Sequence, residues 1–181
     1  MIDIASKLAV YPSLIYAQML ELLGFRQWYT RIDKHVVLGA LPLRRNYKQI
    51  ISKENIQAIL TLNQSHELEY SISKSEWISM GVDYKQIEIE DYIGVASLEQ
   101  IKEAIEFINR HKGQEKSVYV HCKAGRYRSA LIVGCYLINS CKFTPEQASD
   151  HLKLLRSFVI MDKPRQLNAM REYYNYLYNQ K

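Results

Sequence analysis

A thiol, a glycine and several cations follow one another in the stretch VYVHCKAGRYRSA, residues 118–130. The apolar residues before Cys122 predict a β-strand, and the residues from Arg128 onward predict a buried helix. The loop between them can point its backbone N–H groups at one place near the helix N-terminus, where an anion binds. Gly125 permits the positive φ or the close backbone approach that such a loop requires. The stretch therefore predicts an anion-binding loop with a cysteine at its floor.

Cys122 is the candidate nucleophile of this loop. The loop amides, the helix dipole and the Arg128 guanidinium favour a thiolate and lower the thiol pKa from its free value of ~8.5. Five residues separate Cys122 from Arg128, so the guanidinium can return to the rim as a planar fork for phosphate oxygens. We expect His121 to hold the loop by hydrogen bonds and to tune the thiolate. We expect the Ser129 hydroxyl to stabilise the thiolate when it leaves a phosphoenzyme.

The residues between the thiol and the arginine are predicted to bind the substrate: Lys123, Ala124, Gly125, Arg126 and Tyr127. Two interpretations of Lys123 and Arg126 stay open. They are either solvated loop cations, or they raise the positive potential around a substrate with further negative charge. The bulky ring of Tyr127 bears on the shape of the pocket. A purely structural, buried cysteine is the alternative for Cys122, but it leaves cations crowded at a helix N-terminus without an anion.

A phosphate ester also requires an acid that protonates the leaving oxygen, with a typical rate gain of ~10²–10⁴. Asp91 is the candidate, because it ends the predicted strand QIEIE and begins the loop DYIGV. The same carboxylate is expected to deprotonate the water that hydrolyses the phosphoenzyme. The alternative for Asp91 is a turn residue. Glu88 and Glu90 are rivals that we interpret as solvated charges on the strand.

Composition narrows the class of protein. The 181 residues are 48% hydrophobic and 24% charged, which fits one globular domain. A net charge of +5 favours anionic ligands, either lipid or nucleic acid, without choosing between them. Cys122, Cys135 and Cys141 form no CxxC pair, so we expect a reducing compartment, and we assign the last two to packing. The histidines lack metal-binding spacing, so we expect no metal site and no cofactor.

The amino-terminal segment is apolar but too short to span a membrane. The stretch LAVYPSLIYAQML, residues 8–20, is interrupted by Pro12 and falls short of the ~20 apolar residues that a spanning helix requires. It is either a helix packed on the domain or an interfacial anchor, with the following FRQWYTR in the headgroup region. No secretory signal pattern frames it, and it makes a poor transit peptide. We predict a helical segment over residues 1–30 and one catalytic domain over residues 31–181.

Alternating patterns predict an α/β domain with a largely parallel central sheet and a helical bundle on one face. Capping boxes at Ser97 with Gln100, and at Thr144 with Gln147, predict two helix starts. The predicted strands are 35–40, 56–63, 82–90 and 117–121, and the predicted helices are 97–111, 128–140, 144–157 and 164–179.

The stretch VHCKAGRYRSA resembles the signature of the cysteine-based protein-tyrosine-phosphatase superfamily, dual-specificity branch. Further segments follow one another as in the mitochondrial phosphatase-like phosphatidylglycerophosphatase family, from about residue 9 to residue 166: YPSLIY, WYTRID, LGALPL, WISMGV and KPRQL. The resemblance implies the protein-tyrosine-phosphatase-like fold, with helices flanking the sheet, and a two-step phosphoenzyme mechanism. It places Asp91 at the family's aspartate. Residues 63–70, NQSHELEY, depart from the family's acidic run, so no substrate contact is assigned to them, and Gln166 is predicted to pack.

The resemblance implies a phosphatase that converts phosphatidylglycerophosphate to phosphatidylglycerol. The implied setting is the matrix side of the inner mitochondrial membrane, and otherwise the cytoplasm. We expect a phosphorylated lipid substrate, peripheral membrane association, a monomer and no nucleic-acid partner. A phosphoprotein or phosphoinositide phosphatase is the alternative. A phosphate-binding module without activity is expected to lack the thiol or the arginine, and a rhodanese-like sulfur transferase fits Arg128 and Ser129 less well.

Overall fold

A computed structural model describes residues 19, 27–69, 71–91, 94–112, 114 and 116–179. The predicted amino-terminal helical segment, interpreted either as a helix packed on the domain or as an interfacial anchor, lies almost wholly outside these residues. One mixed sheet has the strand order β1-β2-β5-β3-β4, in which β1 is antiparallel to β2 and the other neighbours are parallel. The strands are β1 Tyr29–Arg31, β2 Val36–Ala40, β3 Ile56–Thr61, β4 Asp83–Gln86 and β5 Ser117–Cys122.

The central strand β5 is buried along its whole length, as expected for a parallel strand covered on both faces. In register, Cys122 at its end lies beside Ala40 of β2, and His121 lies beside Thr61 of β3. The carboxyl ends of β2, β3 and β5 therefore meet at one edge of the sheet. The loops that follow these strands gather there, and so does the candidate site.

Helices cover both faces of the sheet. The helices are α1 Tyr47–Glu54, α2 Lys74–Ser79, α3 Leu98–Lys112, α4 Arg128–Cys141, α5 Pro145–Leu155 and α6 Pro164–Tyr178, with a 3₁₀ turn at Ser65–Leu68. The larger core joins α3 to α6 with one face of the sheet, which is the predicted bundle. The smaller core lies on the other face and includes Ile50 of α1 and Trp77 of α2.

Both predicted capping boxes are present. The backbone N–H of Gln100 donates to Ser97 Oγ at 3.2 Å, and the backbone N–H of Ser97 donates to Gln100 Oε1 at 3.0 Å. Thr144 and Gln147 make the same reciprocal pair at the start of α5. Such a cap contributes about 1 kcal/mol of helix stability. These two pairs fix where α3 and α5 begin, and hence the loops that precede them.

The structure corrects two predicted strand bounds and one packing assignment, and it also bears on the alternative that placed Trp28 among headgroups. Strand β3 ends at Thr61, before the predicted end at residue 63, and β4 covers only Asp83–Gln86 of the predicted 82–90. Cys135 is buried, but Cys141 is exposed, so its assignment to packing is wrong. Trp28 is 3% exposed and its indole N–H donates to the Leu41 carbonyl, so this ring does not reach a headgroup region. Within the described residues, no helix is long and apolar enough to cross a bilayer.

Candidate active site

Cys122 lies at the carboxyl end of β5 and is 2% exposed. Burial raises the pKa of its thiol, but the positive charge of Arg128, the Ser129 hydroxyl and the backbone N–H groups of Ser129 and Arg126 outweigh burial. The net pKa is lowered from its ordinary value. Ser129 Oγ donates to the Cys122 sulfur at 3.3 Å. The loop thus surrounds the sulfur with donors that favour its ionised form.

The loop after Cys122 requires a glycine at Gly125. Its φ is +64°, and a Cβ at this position would lie 2.5 Å from the carbonyl carbon of Gly39, a backbone atom that cannot turn away. Arg156 fixes the same turn from outside: its Nε donates to the Gly125 carbonyl at 3.1 Å, and its Nη2 donates to the Trp28 carbonyl at 3.2 Å. The loop is therefore packed directly on β2 and tied to the start of β1.

Arg128 is 1% exposed and forms a bidentate ion pair with Glu67, which is also 1% exposed. The Arg128 Nη1 to Glu67 Oε2 distance is 2.7 Å, and the Nη2 to Oε1 distance is 2.9 Å. The Ile89 carbonyl accepts a further bond from Nη1 at 2.9 Å. Burial lowers the pKa of Arg128, but the hydrogen bonds that it donates to Glu67 and the charges of Cys122, Asp91 and Glu67 raise the pKa by more, so the guanidinium stays charged. Its buried Nε has no hydrogen-bond partner among the residues that the structure describes.

Asp91 lies between the two cations of the loop. Its Oδ1 is 2.9 Å from Arg128 Nη2, and its Oδ2 forms an ion pair with Lys123 Nζ. The side chain of Lys123 is only 7% exposed, whereas that of Asp91 is 23% exposed. Lys123 is therefore not a solvated loop cation. Asp91, the predicted acid, is therefore in direct contact with Arg128, the predicted phosphate-binding arginine.

The rivals of Asp91 lie elsewhere. Glu88 accepts hydrogen bonds from the hydroxyl and the backbone N–H of Ser65 and from the amide of Gln86. Glu90 is exposed. These contacts leave Asp91 as the acid candidate that the structure places against Arg128.

His121 is buried and neutral. Burial, together with the charge of Arg128, lowers its pKa from 6.5 to about 3. Its Nδ1 has no partner in the described part of the chain, so this atom does not supply the predicted loop-holding hydrogen bond. The backbone of His121 holds the segment that follows β3, because its carbonyl accepts a hydrogen bond from the N–H of Leu62 at 2.9 Å.

The remaining loop residues contact the helices around them. Arg126 Nε donates to the Phe158 carbonyl at 2.9 Å, so its side chain is directed towards the segment between α5 and α6. Ala124 and Tyr127 are half-buried, and the Tyr127 carbonyl accepts from Gln166 Nε2 at 2.9 Å.

Sequence reasoning missed three residues that shape this site: Glu67, Arg156 and Gln166. All three are polar and at most 2% exposed. Neither Glu67 nor Arg156 is part of a sequence motif that points to the site, and their partners Arg128 and Gly125 are 61 and 31 positions away in the chain. Gln166 was predicted to pack, and it is fully buried, but it also donates to the loop. A signal for Glu67 existed in the demand of a buried arginine for a buried carboxylate.

The sequence profile of a known domain family matches most of the chain. The family is described as dual specificity phosphatase, catalytic domain, and the matched residues are 42–176. Phosphatidylglycerophosphatase and protein-tyrosine phosphatase 1 from Homo sapiens is 34% identical over 173 residues, which are 93% of this chain and 86% of that protein. Phosphatidylglycerophosphate phosphatase PTPMT1 from Arabidopsis thaliana is 32% identical over 97% of this chain, which spans 51% of that relative.

Solved structures share the fold. The crystal structure of PTPMT1 in complex with PI(5)P has a TM-score of 0.81 and 32% identity, and the match covers 85% of this chain and 99% of that chain. The crystal structure of Tk-PTP in the active form has a TM-score of 0.75 at 24% identity, covering 82% of this chain and 97% of that one. The predicted fold class, an α/β domain with a central sheet flanked by helices, is confirmed.

Proposed function

This chain belongs to the dual specificity phosphatase catalytic-domain family and is a cysteine-based phosphatase, and we propose that it converts phosphatidylglycerophosphate to phosphatidylglycerol. Relatives from Homo sapiens and Arabidopsis thaliana that carry this activity in their names support the substrate. The observation that carries the chemistry is the buried Cys122 sulfur, whose pKa is lowered by Arg128 and by donors of its own loop.

In the first step, the Cys122 thiolate attacks phosphorus and the bond to the leaving oxygen breaks. Asp91 gives its carboxyl proton to that oxygen, so that an alcohol leaves. We assign Arg128 Nε, which is buried and has no partner among the described residues, as a donor to the phosphate oxygens. Because Asp91 occupies Arg128 Nη2 in this structure, the phosphate also replaces a carboxylate oxygen on the same guanidinium.

In the second step, water attacks the phosphocysteine. Asp91, now a carboxylate, takes a proton from the water, and the sulfur leaves as a thiolate. Ser129 Oγ, 3.3 Å from the sulfur, donates to the departing thiolate. His121 contributes as a neutral buried neighbour, since its pKa of about 3 keeps the ring uncharged at neutral pH. Inorganic phosphate is the product.

The other predicted loop residues enter the proposal with definite roles. The amides of Ala124, Gly125, Arg126 and Tyr127 line the phosphate cradle, and Lys123 contributes positive charge at its edge. We propose one catalytic domain at residues 31–181 after an amino-terminal segment at residues 1–30, with the difference that Tyr29 and Thr30 belong to β1 and pair with β2, so the sheet of the domain begins two residues earlier. The proposed setting is the matrix face of the inner mitochondrial membrane, where the chain acts as a monomer at the lipid surface. Cell fractionation tests this location.

One alternative substrate has a specific observation in its favour. The solved structure that resembles this chain at a TM-score of 0.81 holds PI(5)P, by its description. A phosphoinositide is therefore the second candidate substrate, and it would use the same cysteine and arginine.

The deciding experiment compares phosphatidylglycerophosphate, phosphoinositides and a phosphotyrosine peptide in matched micelles. We expect the highest kcat/KM for phosphatidylglycerophosphate. A preference for the peptide by about tenfold or more, a difference of about 1.4 kcal/mol, contradicts the lipid proposal. Cys122→Ser is the control for mechanism: it should abolish turnover and still bind phosphate, and full activity in this variant contradicts the covalent route.

A further inference from the structure

Two leucines protrude at the carboxyl end of α5. Leu154 is 85% exposed and Leu155 is 38% exposed, and Leu154 has the highest exposure among the large hydrophobic residues of the described chain. Lys153 precedes them, and the exposed Lys163 and Arg165 follow across the loop to α6. We call these five residues, Lys153, Leu154, Leu155, Lys163 and Arg165, the rim patch.

Chain direction and two hydrogen bonds place the rim patch next to the cradle loop, residues 122–128. Helix α4 begins at the phosphate cradle and runs away from it, and α5 packs against α4 and returns. Residues that follow the two leucines donate hydrogen bonds directly to the cradle loop. Arg156 Nε donates to the Gly125 carbonyl at 3.1 Å, and the backbone N–H of Ile160 donates to the Arg126 carbonyl at 2.9 Å. The patch is therefore attached to one wall of the cradle.

We propose that the rim patch docks this enzyme on a bilayer surface that contains anionic lipid, with Leu154 and Leu155 among the acyl chains and Lys153, Lys163 and Arg165 at the headgroups. This inference rests on the proposed lipid substrate. A diacyl lipid whose phosphate enters the cradle keeps its chains in the bilayer, because each methylene moved into water adds unfavourable transfer free energy. The mouth of the cradle must then face the bilayer.

The composition of the patch fits this occupant. Residues 153–165 carry four cations and one carboxylate, Asp162, and one of the cations, Arg156, is buried in the fold. Exposed apolar side chains beside cations are the pattern of proteins that lie on anionic membrane surfaces. A protein partner is not needed to explain it, since the substrate itself brings the surface to this edge.

The first test measures sedimentation of the full chain with vesicles of phosphatidylcholine, with and without phosphatidylserine. Phosphatidylserine supplies negative charge without a phosphomonoester, so the cradle itself is not occupied. We expect Leu154→Asp to weaken vesicle binding about tenfold or more, as burial of one leucine side chain implies. We also expect wild-type binding to weaken with added salt. Vesicle binding of Leu154→Asp equal to that of wild type overturns the proposal.

The chain offers a matched control. Ile78 is 55% exposed on α2, and α2 leads into the amino-terminal end of β4, the edge of the sheet opposite to the site. Ile78→Asp also replaces an exposed aliphatic side chain by a carboxylate, but at the edge of the sheet opposite to the site. We expect this variant to bind vesicles as wild type does. An equal loss in both variants overturns the proposal, because it shows a general effect of charge.

A second variant keeps the test valid if Leu154→Asp fails to fold. Trp28 and Trp77 are 3% and 2% exposed, so the native fluorescence background is buried. Leu154→Trp should show a blue shift of its added emission when anionic vesicles are added, whereas Ile78→Trp should not. The absence of any shift in Leu154→Trp overturns the proposal.

Activity measurements separate this inference from the proposed function. Leu154→Asp should hydrolyse a soluble aryl phosphate as wild type does and lose activity on phosphatidylglycerophosphate in vesicles. If wild type does not hydrolyse phosphatidylglycerophosphate but its vesicle binding depends on Leu154, the docking surface stands and the proposed substrate fails. If phosphatidylglycerophosphate is hydrolysed equally by both proteins in vesicles, the substrate stands and the docking surface fails.

Discussion

The guanidinium of Arg128 divides its nitrogen atoms between the fold and the ligand. Nη1 and Nη2 hold the carboxylate of Glu67 at 2.7 and 2.9 Å, and Nε has no partner in the described chain. The bidentate pair with Glu67 fixes the plane of the guanidinium, so the N–H of Nε points in a defined direction. Nη2 also contacts Asp91. Glu67 is therefore a positioning residue for the arginine, and it does not need to touch the substrate.

Replacement of Glu67 tests this positioning. Glu67→Gln removes the fully buried counter-charge of the guanidinium and leaves only the more exposed Asp91, so we expect a loss of about 3 kcal/mol in the free energy of unfolding. We also expect a fall of about 10²-fold in kcat/KM, because the arginine is no longer held in place. Urea denaturation and steady-state kinetics measure the two effects. Glu69→Gln, at an exposed neighbour, is the control, and a Glu67→Gln enzyme with wild-type stability and activity contradicts the assigned role.

Asp91 is tested by the leaving group. Asp91→Ala should lower kcat by about 10²–10⁴-fold for an alkyl phosphate, whose leaving oxygen needs a proton, and much less for an activated aryl phosphate. The comparison uses the same enzyme preparation with both substrates. Glu90→Ala is the matched control at an exposed carboxylate and should leave both rates unchanged. An equal, small effect of Asp91→Ala on both substrates points to another acid.

At the scale of elements, the cradle loop depends on its contact with β2. Gly125 has φ +64° and no room for a Cβ against the backbone of Gly39, whereas Gly81 has φ +74° and open space around the same position. Gly81→Ala should cost only about 1–2 kcal/mol from its left-handed backbone. Gly125→Ala should cost clearly more and should also lower activity, because the loop must move off β2. Urea midpoints and kcat check this, and equal effects of the two substitutions contradict it.

Local signals explain which elements the sequence predicts. Capping boxes are pairs three residues apart, so Ser97 with Gln100 and Thr144 with Gln147 mark their helices without tertiary information. The motif around Cys122 is equally local. By contrast, β1 has three residues and α2 has six, too few to show a period, and both depend on packing against the smaller core. The role of Glu67 could not be predicted from local sequence, because only the fold brings it to Arg128, 61 positions away.

At the scale of the whole molecule, the carboxyl edge of the sheet combines charge with burial. The buried ring of His121 makes the free energy of unfolding depend on pH. Its pKa is about 3 in the fold and 6.5 when unperturbed, so between these values the unfolded chain binds a proton that the folded chain does not. Stability from the neutral, buried ring is complete above pH 6.5 and is lost as the pH falls towards 3.

Part of the stability that the domain loses between neutral pH and a pH of about 5 should therefore come from His121. We expect the free energy of unfolding of the wild-type protein to fall between neutral pH and a pH of about 5 by more than that of His121→Asn. Urea denaturation at the two values measures it for both proteins. A variant with the same acid sensitivity as wild type shows that the ring is not the source.

The chemistry of this enzyme depends on the ionised sulfur of Cys122, which the surrounding fold stabilises. The direct measurement is the rate of alkylation of Cys122 against pH in the native protein, with Cys122→Ser to subtract the exposed Cys141 and with Arg128→Lys alongside. We predict a midpoint below the free thiol value of ~8.5, and a higher midpoint in Arg128→Lys, since lysine lacks the planar fork. A midpoint at or above the free value in the native protein would show that the fold does not ionise this sulfur.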